Sequence, residues 1–414
     1  MMIKKSIRCF TVVLSAACLC LLILATAVSN GLPDSFVVTK GDELTMNGGV
    51  PVTASKQLGE EKPASVMAGE KEGEHYKVNL NLFGVVPIKS AEVQVVSTQN
   101  VVPLGNPFGI KIFTDGVLIV GMTPVETDDG PATPAKEAGL QTGDVILAIN
   151  GQTVATNSDV ASLIERSGGE KLTISLRRND TSMNVDLVPK KGSDGAYKAG
   201  LWVRDSSAGI GTLTFYYPTT GVIAGLGHGV CDVDTGELLP MLTGEMVRAE
   251  VLGITKSQAG TTGELKGRFT GQEKIAALLE NCGKGVYGLC ESGYQSNNQP
   301  VTVAMRQQVK TGDAQILSTV DGTVRAYDIK IVSVRLKDDD ALQNMVIEVT
   351  DPDLLELTGG IVQGMSGSPI LQNGMLVGAV THVFVNQPAK GYAIFAETML
   401  KEAQSLTQAN AMAS

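Results

Sequence analysis

Hydrophobic positions in this chain form one long run followed by many short ones. Cys9 to Val28 carries no charge and is mostly apolar, behind a start that holds Lys4, Lys5 and Arg8. A run of that length spans a bilayer as one helix, and the basic residues before it favour an inside N-terminus. Residues 1–30 therefore read as a signal peptide or membrane anchor, with the bulk of the chain exported. No second run of comparable length follows. Residues 31–75 are polar and rich in Gly, Lys and Glu with little periodicity, which predicts a flexible stalk ending at a solvated His75. From Tyr76 the pattern becomes "YKVNLNLFGVVPIKSAEVQVV", and its alternation predicts a short β segment over residues 76–103.

Residues 104–190 form a unit of their own. Two strands in "GNPFGIKIFTDGVLIVGMTPV" precede an Ala-Gly-Leu turn, and "GDVILAINGQTV" is a strand with an Asn-Gly turn. "SDVASLIERS" is a helix with an N-cap, and strand patterning returns in "KLTISLRR" and "MNVDLVP". This order, with "AGLQTGDVILAINGQ", resembles a PDZ domain of the bacterial protease-associated type. The resemblance implies strand addition of an extended peptide, with loop N–H groups taking a terminal carboxylate. "NPFGI" at 106–110 resembles that loop, making Phe108, Gly109 and Ile110 the candidate peptide-binding residues. Pro107 lacks an N–H, which removes one donor and points to an internal peptide or the protein's own chain as ligand.

After a hinge, "KKGSDGAYKAG", residues 195–405 read almost wholly as short strands and glycine turns. Helices are expected only in "QEKIAALLENC" and "FAETMLKEAQSL". That balance fits a pair of closed barrels better than a parallel sheet. The predicted fold class is mainly β: an N-terminal hydrophobic helix, a PDZ domain and a double β-barrel.

Composition supports this outline. Aromatics make up 4% of the 414 residues while glycine numbers 47, a balance that suits short strands and turns. The formal charge is −10, and beyond the first thirty residues 30 basic side chains face 43 acidic ones, which argues against a nucleic-acid partner. Only Cys231, Cys282 and Cys290 lie in the exported part, enough for one bridge, such as Cys282 with Cys290, or for three thiols. No C-x-x-C pair or H-E-x-x-H sequence supplies a metal site, and no cofactor is expected.

The candidate chemistry sits in two glycine-rich stretches. His228 lies between two glycines in "AGLGHGV", an odd choice for packing alone, whereas His382 in "GAVTHVFV" reads as a structural histidine. In "QGMSGSP" the glycines let the backbone curl so that the N–H groups of Gly364 and Ser366 converge on a developing oxyanion. His228 would be the general base and Ser366 the nucleophile. For a carboxylate, Asp351 lies 15 residues before Ser366, but Asp353, Asp232 and Asp234 compete and spacing does not choose. Cys231 beside His228 is a weaker alternative nucleophile.

"GIGTLTFYYPTTGVIAGLGHGVCDVDTGE", "TDPDLLELTGGIVQGMSGSPI" and "LVGAVTHVFVNQPAKGYAIF", in this order behind a PDZ domain and a hydrophobic anchor, resemble the stage IV sporulation protein B family of chymotrypsin-clan serine peptidases. The resemblance implies a triad of His228, Asp351 and Ser366. It also implies self-cleavage, and cleavage of a membrane-bound regulator of an intramembrane protease that releases sigma-factor maturation. The place of action would be the space between forespore and mother-cell membranes. Met365 stands where trypsin-like enzymes carry an aspartate, so activation through that ion pair is excluded. The rival reading is a non-catalytic PDZ adaptor on a degenerate peptidase fold.

Overall fold

The computed structural model describes residues 2–46, 52–56, 71–179, 181–290, 293–337 and 339–413. Helix α1 (Met2–Gly31) is long and apolar enough to cross a membrane over Phe10–Gly31, where mean hydropathy is 2.6.

The expected stalk is in part folded. Strands β1 (Ser35–Thr39) and β2 (Val52–Lys56) join β3 (His75–Leu82) and β4 (Val86–Val96) in a sheet of order β1-β4-β3-β2. Phe36, Val38 and Val52 are buried against Val78, Leu80 and Val93. The alternation of Phe36 and Val38 was too short to register in a polar stretch. Its partners, residues 92–96, lie more than fifty residues away. Residues 57–70 of the expected stalk lie outside the described residues. His75 is exposed, with Nδ1 3.2 Å from Glu92.

Strand β5 (Pro107–Met122) serves two units. Gly116 divides it at φ +94°, where a Cβ would lie 2.6 Å from the Ile146 carbonyl. Beyond it, residues 117 and 118 pair with β6 (Val145–Ile149), which continues through β7 (Leu172–Arg178) to β8 (Thr181–Leu187). Helix α2 (Asn157–Arg166) covers this sheet with Val160 and Ile164. Its N-cap is Thr156, in a reciprocal box with Asp159, a device that contributes about 1 kcal/mol.

Before Gly116, β5 belongs to the first barrel. It pairs with β9 (Leu201–Tyr217) and β11 (Met241–Thr255), and the ring continues through β12 (Glu264–Cys282), β13 (Gly285–Leu289) and β10 (Val222–Gly225) back to β9. "QEKIAALLENC", expected as a helix, is the second half of β12. Its run of apolar residues satisfies both periods. The neighbours β11 and β13 decide for strand by supplying both ladders.

The second barrel is closed in the order β14 (Gly312–Ser318), β15 (Arg325–Val334), β16 (Met345–Val349), β19 (Lys390–Phe395), β18 (Met375–Val383), β17 (Pro369–Gln372). Inward positions alternate, as Ala314, Ile316 and Ser318 do on β14. Helix α3 (Pro352–Thr358) follows β16, and α4 (Ala396–Ala413) packs Met399, Leu400 and Ala403 between the barrels. The fold is mainly β, as predicted, with an apolar N-terminal helix, a PDZ-like unit and two β-barrels.

Candidate active site

A cleft of about 530 Å³ brings His228, Ser366 and His382 together, with Ser207 to Ile210 of β9 and Ile361 to Gly364 as walls. His228 is delivered by the turn after β10, where Leu226 and Gly227 both have left-handed backbones, φ +66° and +68°. For a leucine that conformation is strained by about 1–3 kcal/mol, held here by burial and a bond from Leu226 N–H to the Thr212 carbonyl. The imidazole Nδ1 lies 2.8 Å from the Gly229 carbonyl. A carbonyl only accepts, so Nδ1 carries the proton and Nε2 is left with the lone pair that a general base needs. Burial holds the His228 pKa below the ordinary histidine value; the Gly229 carbonyl opposes that shift and the neighbouring His382 adds to it.

Ser366 stands on a loop pinned from beneath. Thr212 N–H donates to the Ser366 carbonyl at 3.0 Å, Thr212 Oγ1 to the Gly364 carbonyl at 2.7 Å and Thr214 Oγ1 to the Gly367 carbonyl at 2.8 Å. Gly364 and Gly367 have φ +96° and +93°. With the carbonyls turned inward, the N–H groups of Gly364 and Ser366 donate to no acceptor among the described residues. Two donors left without an acceptor are what an oxyanion site requires. The hydroxyl donates 2.7 Å to the Thr381 carbonyl and makes no bond to His228 in this state. Met365 is wholly buried in the second barrel's core.

The structure does not bring Asp351 into the cleft. Its carboxylate is the N-cap of α3: one oxygen accepts from Leu354 N–H at 3.0 Å, the other from Asp328 N–H at 3.2 Å. The sequence "TDP" explains this, because an Asp before a proline at the first helical position is a strong helix start. His382, expected to be structural, instead lies with its ring 4.9 Å from that of His228. Period-two alternation could not show this, since a bulge in the pairing of β18 with β19 between Val380 and Val383 resets the facing. Asp232 and Asp234 are bound to Arg204. Cys231 lines the cleft, but burial raises its pKa, which works against a thiolate nucleophile. Cys231, Cys282 and Cys290 are all free thiols.

The SpoIVB peptidase S55 family matches residues 195–400, the segment that holds both His228 and Ser366. A PDZ domain matches residues 130–178. That pairing is consistent with a SpoIVB-type serine peptidase. Among curated proteins it is similar to the serine protease HTRA1 of Xenopus laevis, 39% identical over 61 residues, 15% of this chain and 13% of the relative. It is 30% identical to the zinc metalloprotease RasP of Geobacillus kaustophilus over 130 residues, 29% of this chain and 30% of the relative. A probable periplasmic DegP-like serine endoprotease of Brucella suis is 27% identical over 158 residues, 37% of this chain and 30% of the relative. The chain thus spans less than a third of each of these relatives. Similar solved structures include the HtrA-type protease AlgW with a decapeptide, at 14% identity and TM-score 0.29 over 50% of this chain and 55% of that one. The active form of the Rv3671c protease from M. tuberculosis gives 14% and 0.26 over 48% and 74%.

The structure corrects the expected peptide loop. Phe108 and Ile110 are buried in the first barrel, and Gly109 sits where a Cβ would strike the Phe269 ring at 2.4 Å. The groove beside the PDZ helix, about 590 Å³, lies instead between α2 and Tyr197 to Val203. Leu201 to Arg204 of β9 pair with residues 118–122 of β5 on one edge only. The signal that could have found it is "AGLWV" at 199–203, a Gly-Leu opening a strand, hidden because it follows the PDZ helix in the chain rather than preceding it.

The N-cap geometry yields a prediction for Asp351. Asn caps a helix as well as Asp does but carries no charge. Asp351→Asn is expected to keep peptidase activity within about tenfold, while Asp351→Ala destabilises the fold by about 1 kcal/mol. Paired thermal melts and cleavage assays check this. A loss near 10⁴-fold in Asp351→Asn would instead make it a charge partner of the imidazole.

Proposed function

We propose that this serine endopeptidase cuts an extended polypeptide with Ser366 as nucleophile, His228 as general base, and the N–H groups of Gly364 and Ser366 as the oxyanion site. The observation that carries the reading is the loop 364–367, whose carbonyls are tied down by Thr212 and Thr214 while two N–H groups stay free. Ser366 Oγ attacks the scissile carbonyl and its proton passes to Nε2 of His228. The oxyanion rests on the two amides, and the proton then goes to the leaving amine. Water repeats the sequence on the acyl-enzyme. Asp351 acts as a positioning residue through α3, whose C-terminal end leads directly into residues 359–366.

The finer reading comes from the family resemblance. The peptidase acts in sporulation, cuts itself, and cuts a membrane-bound regulator of an intramembrane protease in the space between forespore and mother-cell membranes. The apolar helix ahead of the folded part supports a membrane-anchored or secreted enzyme. The PDZ groove takes an extended peptide, its own chain or another, along the open edge of β9.

The test is to follow intact mass over time for the full chain in detergent micelles, beside Ser366→Ala. Shortening at defined sites in wild type alone, with fluorophosphonate labelling of Ser366, is the expected result. If both stay whole and neither labels, the peptidase reading fails and the chain is a PDZ adaptor.

A further inference from the structure

Strand β9 touches the PDZ groove, the catalytic cleft and the nucleophile loop. Its first residues, Leu201 to Val203, line the PDZ groove. Ser207 to Ile210 line the catalytic cleft, and Thr212 and Thr214 hold the nucleophile loop. Between groove and cleft stand Arg204 and Asp205, which reach in different directions. Asp205 accepts a 2.9 Å bond from the N–H of Asn157, the first residue of the groove helix α2. Arg204 forms ion pairs with Asp232 and, at 2.7 Å, with Asp234.

Asp232 lies four residues after His228, in the loop that follows it. Its side chain is 0% exposed, and it organises that loop by accepting from the N–H groups of Asp234 and Thr235 at 3.0 and 2.9 Å. Burial by itself would raise its pKa; those two N–H groups and Arg204 outweigh that and keep it charged. A buried carboxylate of this kind follows its cation, because separating them leaves an uncompensated charge in a low-dielectric site. The His228 loop is therefore fastened to β9 at Arg204, next to the residue that holds the groove helix.

We infer that Arg204 is a positioning residue for His228, and that through it the state of the PDZ groove and the state of the catalytic site are coupled. The inference rests on the Ser366–His228 reading above. A static ion pair would stabilise the loop without linking the two sites; coupling adds that a change at either site is felt at the other.

The chain carries its own reporter. Trp202 is the only tryptophan, 61% exposed beside the groove, with its indole N–H 3.1 Å from Thr123 Oγ1 and two residues from Arg204. The full chain in detergent micelles is treated with diisopropyl fluorophosphate. Ser366 Oγ forms a bond to phosphorus, fluoride leaves, and His228 takes the hydroxyl proton. Mass spectrometry records the rate of labelling and fluorescence records Trp202. In wild type, labelling is expected to shift or quench Trp202 emission. In Arg204→Ala, labelling is expected to slow by up to about 100-fold and the Trp202 response to vanish.

Because Arg204→Ala leaves Asp232 buried and unpaired, Arg204→Met with Asp232→Asn is run beside it. The asparagine oxygen keeps the two loop bonds, and no buried charge is left alone. The same loss of response is expected in this pair variant, with labelling slowed less than in Arg204→Ala and still measurable. A Trp202 response that persists in a folded, labelled variant, or one that is absent from labelled wild type, overturns the coupling. Failure of wild type to label at Ser366 overturns the peptidase reading itself, and this one with it.

Discussion

His228→Ala is expected to cleave peptides on the order of 10⁴- to 10⁶-fold more slowly than wild type, with the fold intact. Without His228 the cleft keeps His382 as its other imidazole, and the Ser366 hydroxyl donates to the Thr381 carbonyl, which cannot act as a base. The pH dependence of the wild type follows from the same residue. Burial disfavours the imidazolium, and His382 beside it disfavours it further, so the working neutral form persists below the ordinary histidine pKa. As pH falls, kcat/KM is expected to hold through pH 6.5 and to drop only at more acid values, where His228 protonates in the folded state. A pH profile of kcat/KM measures this. An acid limb at or above pH 6.5 would contradict the buried, neutral base. A loss of less than tenfold in His228→Ala would transfer the role to His382, whose ring is 4.9 Å away.

Gly367→Ala is expected to abolish activity and to destabilise the second barrel's nucleophile loop by about 2–4 kcal/mol. Gly367 has φ +93°, and a Cβ there would lie 2.1 Å from the Thr212 carbonyl oxygen and 2.4 Å from Leu226 N. Both are backbone atoms, so no side chain can rotate out of the way. The loop would have to lift off β9, breaking the bonds that tie down the carbonyls of Gly364, Ser366 and Gly367 and leave the N–H groups of Gly364 and Ser366 without an acceptor among the described residues. Gly374→Ala is the control: its φ is +77° but nothing lies within 4 Å, so only the left-handed penalty of about 1–2 kcal/mol applies. Thermal melts of both variants, with fluorophosphonate labelling, separate the two costs. Equal melting temperatures would show that the loop tolerates displacement and that the close approach to β9 is not what shapes it.

Local chemistry made much of the chain readable. The uncharged run from Cys9, the Asn-Gly turn before α2 and the glycines around Ser366 each encode their conformation in a few adjacent residues. The helix over 157–166 and the two-barrel architecture were legible for that reason. Misreadings fell where the deciding partner is distant. Residues 272–282 fit helix and strand periods alike until β11 and β13 take them as a strand. Phe108 looked like a PDZ loop residue, yet the fold runs β5 through both units and buries its first half in the first barrel.

Backbone freedom and hydrophobic runs are local properties, so a glycine-rich serine loop, a histidine on a glycine turn, a PDZ-type unit and an apolar N-terminal helix were readable from short stretches. What each residue faces came from the packing of the two barrels. It placed His382 against His228, spent the Asp351 carboxylate on a helix start, and let the Gly229 carbonyl fix the imidazole tautomer. It also made the wall of the peptide groove and the floor of the nucleophile loop one strand. Those are relations between elements far apart in the chain. They are set by which backbone donors and acceptors remain once both barrels have closed, and no short stretch of sequence carries that information.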